Sequence, residues 1–127
     1  MDKFINKNFI YAIIGATNNK AKYGYKVFKD LIDKGFQVIP INPNYKEVAG
    51  IDCYPDLISL NERPDVVVLM VSEENAQKII QDCLDLELDR IWFQPGSEFE
   101  SAVTQAQEAG FDIMVDKCIM KETNELL

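Results

Sequence analysis

The chain has 127 residues, 47% apolar and 27% charged, which fits one globular domain with its own core and leaves no room for a second. It contains no histidine, and this excludes imidazole acid–base chemistry, histidine metal sites, phosphohistidine intermediates and every Ser-His or Cys-His catalytic arrangement. Asp and Glu number 21 against 13 Lys and Arg, a net charge of -8, opposite to the footprint of a nucleic-acid or anionic-membrane binder; an anionic ligand therefore needs a locally positive site.

The first predicted element is a strand over 9–14, a continuous apolar run ending at Gly15, as expected for a strand buried on both faces of a parallel sheet. The same run follows Lys3 and Lys7 and also reads as a signal h-region, although a buried first strand fits it better. A helix over 25–34 follows, with Val27, Phe28, Leu31 and Ile32 at helical spacing and Gly35 at its carboxyl cap. A second strand, 36–41, is stopped by Pro40 and Pro43, and a short helix is expected from Tyr54 to Leu60. Residues 66–71 form a third, strongly apolar strand. Ser72 then caps a helix whose inner face is Ala76, Ile79, Ile80, Cys83 and Leu84, and 90–93 is strand four. Ser97 with Glu100 has capping-box spacing ahead of a helix burying Phe99, Ala102, Val103 and Ala106, closed by Gly110 before a fifth strand, 112–115. This alternation predicts an α/β domain, a doubly wound, Rossmann-like five-stranded parallel sheet of order 3-2-1-4-5, over residues 1–127 with its core at about 9–122. A ligand crevice is then expected at the carboxyl ends of the strands, around strand one.

The loops at that edge carry the functional signal. Between strand one and helix one, Gly15, Ala16, Thr17, Asn18, Lys22, Tyr23 and Gly24 combine small residues, which let backbone N–H groups approach a phosphate, with side-chain donors and a helix N-terminus. The loop matches neither G-x-G-x-x-G nor G-x-x-x-x-G-K-[ST], and it also reads as a glycine turn with solvated lysines. After strand two, Asn42 and Pro43 stand where an NAD-binding domain carries an acid for the ribose; Lys46 nearby tolerates an additional phosphate, and the bland alternative is a turn. Val71 and Ser72, then Gln94, Pro95 and Gly96, and finally Cys118 follow the remaining strands. They offer hydrogen bonds and close backbone approach without a titrating acid–base pair. Cys118 is a candidate reactive thiol or, more commonly for such a residue, an inert half-buried one. The three cysteines lack metal spacing and are odd in number, so a reducing cytoplasm is the expected compartment. Trp92 reads as core, and Asp112 with Asp116 as a chance pair of acids.

Six segments together resemble the stand-alone CoA-binding domain family, similar to the N-terminal domain of the succinyl-CoA synthetase α subunit: Ile14-Gly15-Ala16-Thr17, Lys22-Tyr23-Gly24-Tyr25, residues 35–43, residues 50–55, Trp92-Phe93-Gln94-Pro95-Gly96, and Asp116-Lys117-Cys118-Ile119. The resemblance implies that Gly15, Ala16, Thr17 and Lys22 hold CoA phosphates and that Asn42 and Pro43 border the adenosine. It further implies that Val71 and Ser72 run along the nucleotide, with Gln94, Pro95, Gly96 and Cys118 toward the pantetheine thiol. The ligase relatives need a phosphohistidine, which this chain cannot form. The expectation is therefore non-catalytic binding of coenzyme A or an acyl-CoA by a carrier, sensor or regulatory module, a possible homodimer, with no metal and with neither nucleic acid nor membrane as partner. An NAD(H)-binding redox domain and an interaction module with a vestigial nucleotide cleft are the alternatives.

Overall fold

The computed structural model describes residues 3–124. Five parallel strands form its sheet: β1 (Ile10–Ile14), β2 (Gln37–Ile41), β5 (Val66–Leu69), β6 (Arg90–Phe93) and β7 (Asp112–Met114), in the spatial order β2-β1-β5-β6-β7. A separate two-stranded hairpin, β3 (Glu47–Val48) with β4 (Ile51–Asp52), lies between β2 and β5 in the chain. The helices are α1 (Tyr23–Asp33), α2 (Glu73–Asp85), α3 (Glu100–Glu108) and α4 (Ile119–Glu122).

Period-two alternation divides the core. Tyr11, Ile13, Val66, Val68 and Trp92 face one side and pack with Val27, Phe28 and Leu31 of α1 and Ile119 of α4. Ala12, Ile14, Val67, Leu69, Ile91 and Phe93 face the other and pack with Ala76, Ile80 and Cys83 of α2 and Ala102 and Ala106 of α3. All four β5 residues are buried, as a strand covered on both faces requires. Three helices end in the same way: Phe36 N–H reaches the Leu31 carbonyl (3.0 Å), Leu88 N–H that of Cys83 (2.9 Å), and Phe111 N–H that of Ala106 (3.1 Å). Lys34 is nearly buried at the end of α1. Its Nζ lies 2.7 Å from Asp30, donates to the Met120 carbonyl (2.7 Å) and to Thr123 Oγ1 (2.9 Å), and so fastens α1 to α4.

The doubly wound parallel sheet is as the sequence implies, but the expected neighbourhood of the third strand is corrected. In chain order the five strands run 2-1-3-4-5, because the apolar strand 66–69 pairs with β1 on the side away from β2. The outer place beside β2, which strand three holds in the order 3-2-1-4-5, is taken by a single residue. Tyr54 bridges Ile41 in parallel, its N–H donating to the Pro40 carbonyl (3.0 Å) and its carbonyl accepting from Asn42 N–H (2.9 Å). The same pairing removes the helix expected from Tyr54 to Leu60, since Tyr54 is held extended and Asp56 closes a turn onto the Ser59 amide (2.9 Å).

The capping box is also corrected. Ser97 Oγ accepts from Val71 N–H (3.0 Å) and donates to the Val71 carbonyl (3.2 Å), and α3 begins only at Glu100, after Phe99. Ser72 does occupy the cap position of α2 without a side-chain cap bond, and Glu73 and Glu74 in the first turn supply the charge favoured there. The four-residue α4 and the β3–β4 hairpin are additions to the expected elements. Helix α1 starts two residues earlier than its apolar spacing indicates, drawing Tyr23 and Gly24 into its first turn.

Ile13 is fully buried in the centre of the α1 face. Ile13→Ala should cost about 3 kcal/mol and lower the melting temperature by roughly 10 °C, whereas Ile58→Ala, at the most exposed large apolar side chain among the described residues, should stay within about 0.5 kcal/mol, both read by thermal unfolding.

Candidate functional site

The site is built where β1 and β5 end side by side and their chains leave on opposite faces of the sheet. Gly15 follows β1 with φ +101°, its N–H on the Ile41 carbonyl (3.1 Å), while Met70 N–H returns to the Ile14 carbonyl (2.9 Å). A Cβ at Gly15 would lie 2.1 Å from the Met70 oxygen, and one at Gly24 would lie 2.2 Å from the Gly15 oxygen. Only glycine at both positions lets the first turn of α1 settle on the end of β1. In that turn the N–H groups of Tyr23 and Gly24 have no acceptor among the described residues, so they remain donors at the positive end of the helix.

Side chains without titrating groups fix the surrounding loops. Thr17, nearly buried, shares a hydrogen bond with the Tyr45 hydroxyl (2.9 Å) and accepts from Asn19 N–H (3.2 Å). Asn42 donates from Nδ2 to the Ala16 carbonyl (2.9 Å) and accepts Asn44 N–H (2.9 Å). Asn18 turns to the hairpin, donating to the Glu47 carbonyl (2.7 Å) and accepting Ala49 N–H (3.1 Å).

These loops enclose a cleft of about 590 Å³. Of the residues singled out in the sequence, Gly15, Thr17, Lys22, Tyr23, Gly24, Asn42, Val71, Ser72, Pro95 and Gly96 line it, joined by Asn44, Tyr45, Met70 and Ser97. Its walls carry one lysine and no acid, in a chain whose net charge is -8. A second chamber of about 320 Å³ shares Gly15, Asn42, Asn44 and Val71 with the first, so the two form one groove along the carboxyl edge. Its walls are mainly apolar, with Ile14, Ile41, Pro43, Pro55, Leu57 and Ile79, and Asn75, Lys78, Asp82 and Asp56 join the shared Asn42 and Asn44 as polar members. Pro43 is the one sequence candidate found in this chamber alone. Of the α2 residues there, Ile79 was read only as part of the helix's inner face and Asn75, Lys78 and Asp82 were not singled out, although Asn75, Ile79 and Asp82 recur at one helical face, the border of the apolar stripe.

Four candidates are not on the walls of the groove. Ala16 is buried with its carbonyl on Asn42, and Asn18 is committed to the hairpin. Gln94 is fully buried, donating from Nε2 to the Tyr23 hydroxyl (2.9 Å) and accepting Ile119 N–H at Oε1 (2.9 Å). Cys118 is half-buried, with its Sγ 3.0 Å from the Tyr23 hydroxyl and 3.7 Å from Gln94 Nε2. Burial opposes ionisation of the Cys118 thiol. The Tyr23 hydroxyl, the Met120 and Lys121 amides and Gln94 outweigh it and hold the thiol below its ordinary range. Burial and the same sulfur push the Tyr23 hydroxyl upward. Burial raises the other two thiols, Cys83 to about 12. Among the described residues no group of acids and cysteines is arranged to hold a metal ion, and no helix is long and apolar enough to cross a membrane.

Comparison with known proteins gives a consistent family. The sequence model described as CoA binding domain matches residues 10–124. An ADP-forming acetate–CoA ligase of Methanocaldococcus jannaschii is 35% identical over 81 residues, 64% of this chain and 12% of that protein. YneT of Bacillus subtilis is 25% identical over 108 residues, 85% of this chain and 80% of that one. Among solved structures, a conserved hypothetical protein of Pyrococcus furiosus superposes with a TM-score of 0.85 at 37% identity, covering 91% of this chain and 98% of that chain. The dinucleotide-forming acetyl-coenzyme A synthetase 1 of Ca. Korarchaeum cryptofilum gives a TM-score of 0.74 at 25% identity, with 84% of this chain and 26% of that chain covered.

Two outcomes follow from the site's construction. Gly24→Ala should destabilise the protein by about 1–3 kcal/mol in denaturant unfolding, because the added methyl meets backbone that cannot yield. Iodoacetamide labelling followed by peptide mass spectrometry should modify Cys118 well before Cys83. The pH midpoint for Cys118 should lie below that of a free thiol and rise in Tyr23→Phe, which removes a bond that favours the thiolate.

Proposed function

The chain belongs to the CoA binding domain family, and from that premise we propose that it binds coenzyme A or an acyl-CoA along the groove at the carboxyl edge of its sheet, without turning it over. The observation that carries this reading is the acid-free cleft around Gly15 and Gly24, whose walls combine helix N-terminal amides, the Thr17 and Ser72 hydroxyls and Lys22. A pyrophosphate suits that cleft, because backbone approach and helix-end charge favour an anion even on an acidic protein. The adenosine then enters the apolar chamber between Pro43, Leu57 and Ile79, and the pantetheine extends along Pro95 and Gly96 toward the Tyr23–Cys118 pair.

A binding role fits the chemistry better than a catalytic one. The chain has no histidine and spans 12% of the acetate–CoA ligase it matches, so the ligase reaction is not carried over to it. Carrier, sensor or regulatory module is the role proposed. Asn42 weighs against a nicotinamide dinucleotide: no carboxylate stands there for the ribose, and its amide is already occupied by Ala16 and Asn44.

Thermal shift of nucleotide-stripped, reduced protein tests the reading. At a hundredfold excess over Kd, CoA should add about 2.7 kcal/mol, a rise of roughly 10 °C, and Lys22→Gln should weaken binding several-fold. A shift with NAD and none with CoA or acetyl-CoA would move the assignment to a redox domain. No shift with any of them would leave an interaction module.

A further inference from the structure

The two chambers of the groove each contain one cation, Lys22 in the cleft and Lys78 in the apolar chamber. Neither makes a side-chain hydrogen bond or ion pair among the described residues. By contrast, Lys3, Lys29, Lys34 and Lys117 are all paired with acids. Lys20, Lys26, Lys46 and Lys121 also lack an acidic partner but line neither chamber. Around Lys78 the chamber holds two carboxylates, Asp56 and Asp82, so without this lysine an incoming anion would meet only negative charge. The balance differs from that of the cleft, where no acid opposes Lys22.

A ligand that fills both chambers should therefore carry negative charge at two places. We propose that Lys78 pairs with the phosphate on the ribose of a 3′-phosphorylated adenine nucleotide, and so selects such nucleotides over those with an unsubstituted ribose. This rests on the CoA reading and deepens it. The sequence offered Lys22 or Lys46 for that phosphate, but Lys22 lies in the cleft that suits the pyrophosphate and Lys46 beyond the groove walls, whereas Lys78 projects from α2 beside the chamber that suits the adenosine. Helix α2 sets the position: Asn75, Lys78, Ile79 and Asp82 share one face, Ile79 lies against the apolar wall and Lys78 stands at the exposed rim. A lysine suits this task as a flexible point charge that follows a phosphate on a half-open rim.

Isothermal titration of CoA and dephospho-CoA into the stripped, reduced full chain and its variants Lys78→Gln and Lys46→Gln, at low ionic strength, tests the assignment. The native protein should favour CoA about tenfold. Lys78→Gln should reduce that preference to about twofold or less while leaving the dephospho-CoA affinity within about twofold of native, and Lys46→Gln should retain it. The preference should also shrink as salt is added. If CoA binds but the preference is absent from the native chain, persists in Lys78→Gln or disappears in Lys46→Gln, Lys78 is not the selecting residue and the CoA reading stands. If neither compound binds the native chain, both readings fall together.

Discussion

Two glycine contacts set the geometry on which the rest of the groove depends. Gly15 lies so close to Met70, and Gly24 so close to Gly15, that a single carbon at either place would collide with a carbonyl oxygen. The contacts stack three layers of backbone without side chains between them: the turn after β5, the end of β1 and the first turn of α1. Because β1 and β5 send their chains to opposite faces, this stack is also where the sheet's winding reverses. The opening there is the one that Gly15 and Gly24 line together with Met70, Val71 and Ser72.

That arrangement resolves an apparent conflict in the charge. A chain of net charge -8 is a poor host for an anion if its surface is taken as a whole. Locally the opposite holds, since no acid lines the cleft and the donors around it are amides, hydroxyls and one lysine. Partial charges fixed in the backbone need no counter-ion, and the carboxylates Asp56 and Asp82 line only the neighbouring chamber, where salt weakens their reach.

Much of this was legible from residues alone, for identifiable reasons. The buried strands announced themselves because both of their faces are apolar, and the ends of α1 and α3 because Gly35 and Gly110 sit where the chain must turn left-handed. The glycine-rich loop was found for the same reason. What failed were inferences from local spacing where a distant partner competed. Ser97 had the spacing of a cap but was taken by the Val71 backbone, and Tyr54 to Leu60 had a helical opening but Tyr54 was held extended by β2 and the residues after it closed into turns. The place of the third strand depended on which side of β1 it joined, which composition does not encode. The apolar chamber was missed because it forms only where α2 meets the turns after β2 and at Pro55, three segments far apart in sequence. Gln94 was recognised as a ligand-facing amide, yet its donor and acceptor are both spent inside the protein.

The use of Gln94 reaches further than its own two bonds. Together with Asn42, Asn18 and Thr17, it holds the loops of the carboxyl edge with amides and hydroxyls, none of which gains or loses a proton near neutrality. Sites held by imidazoles or paired carboxylates loosen as a compartment acidifies. The bonds these four side chains make involve no imidazole and no carboxylate, so a rise in proton concentration takes a partner from none of them.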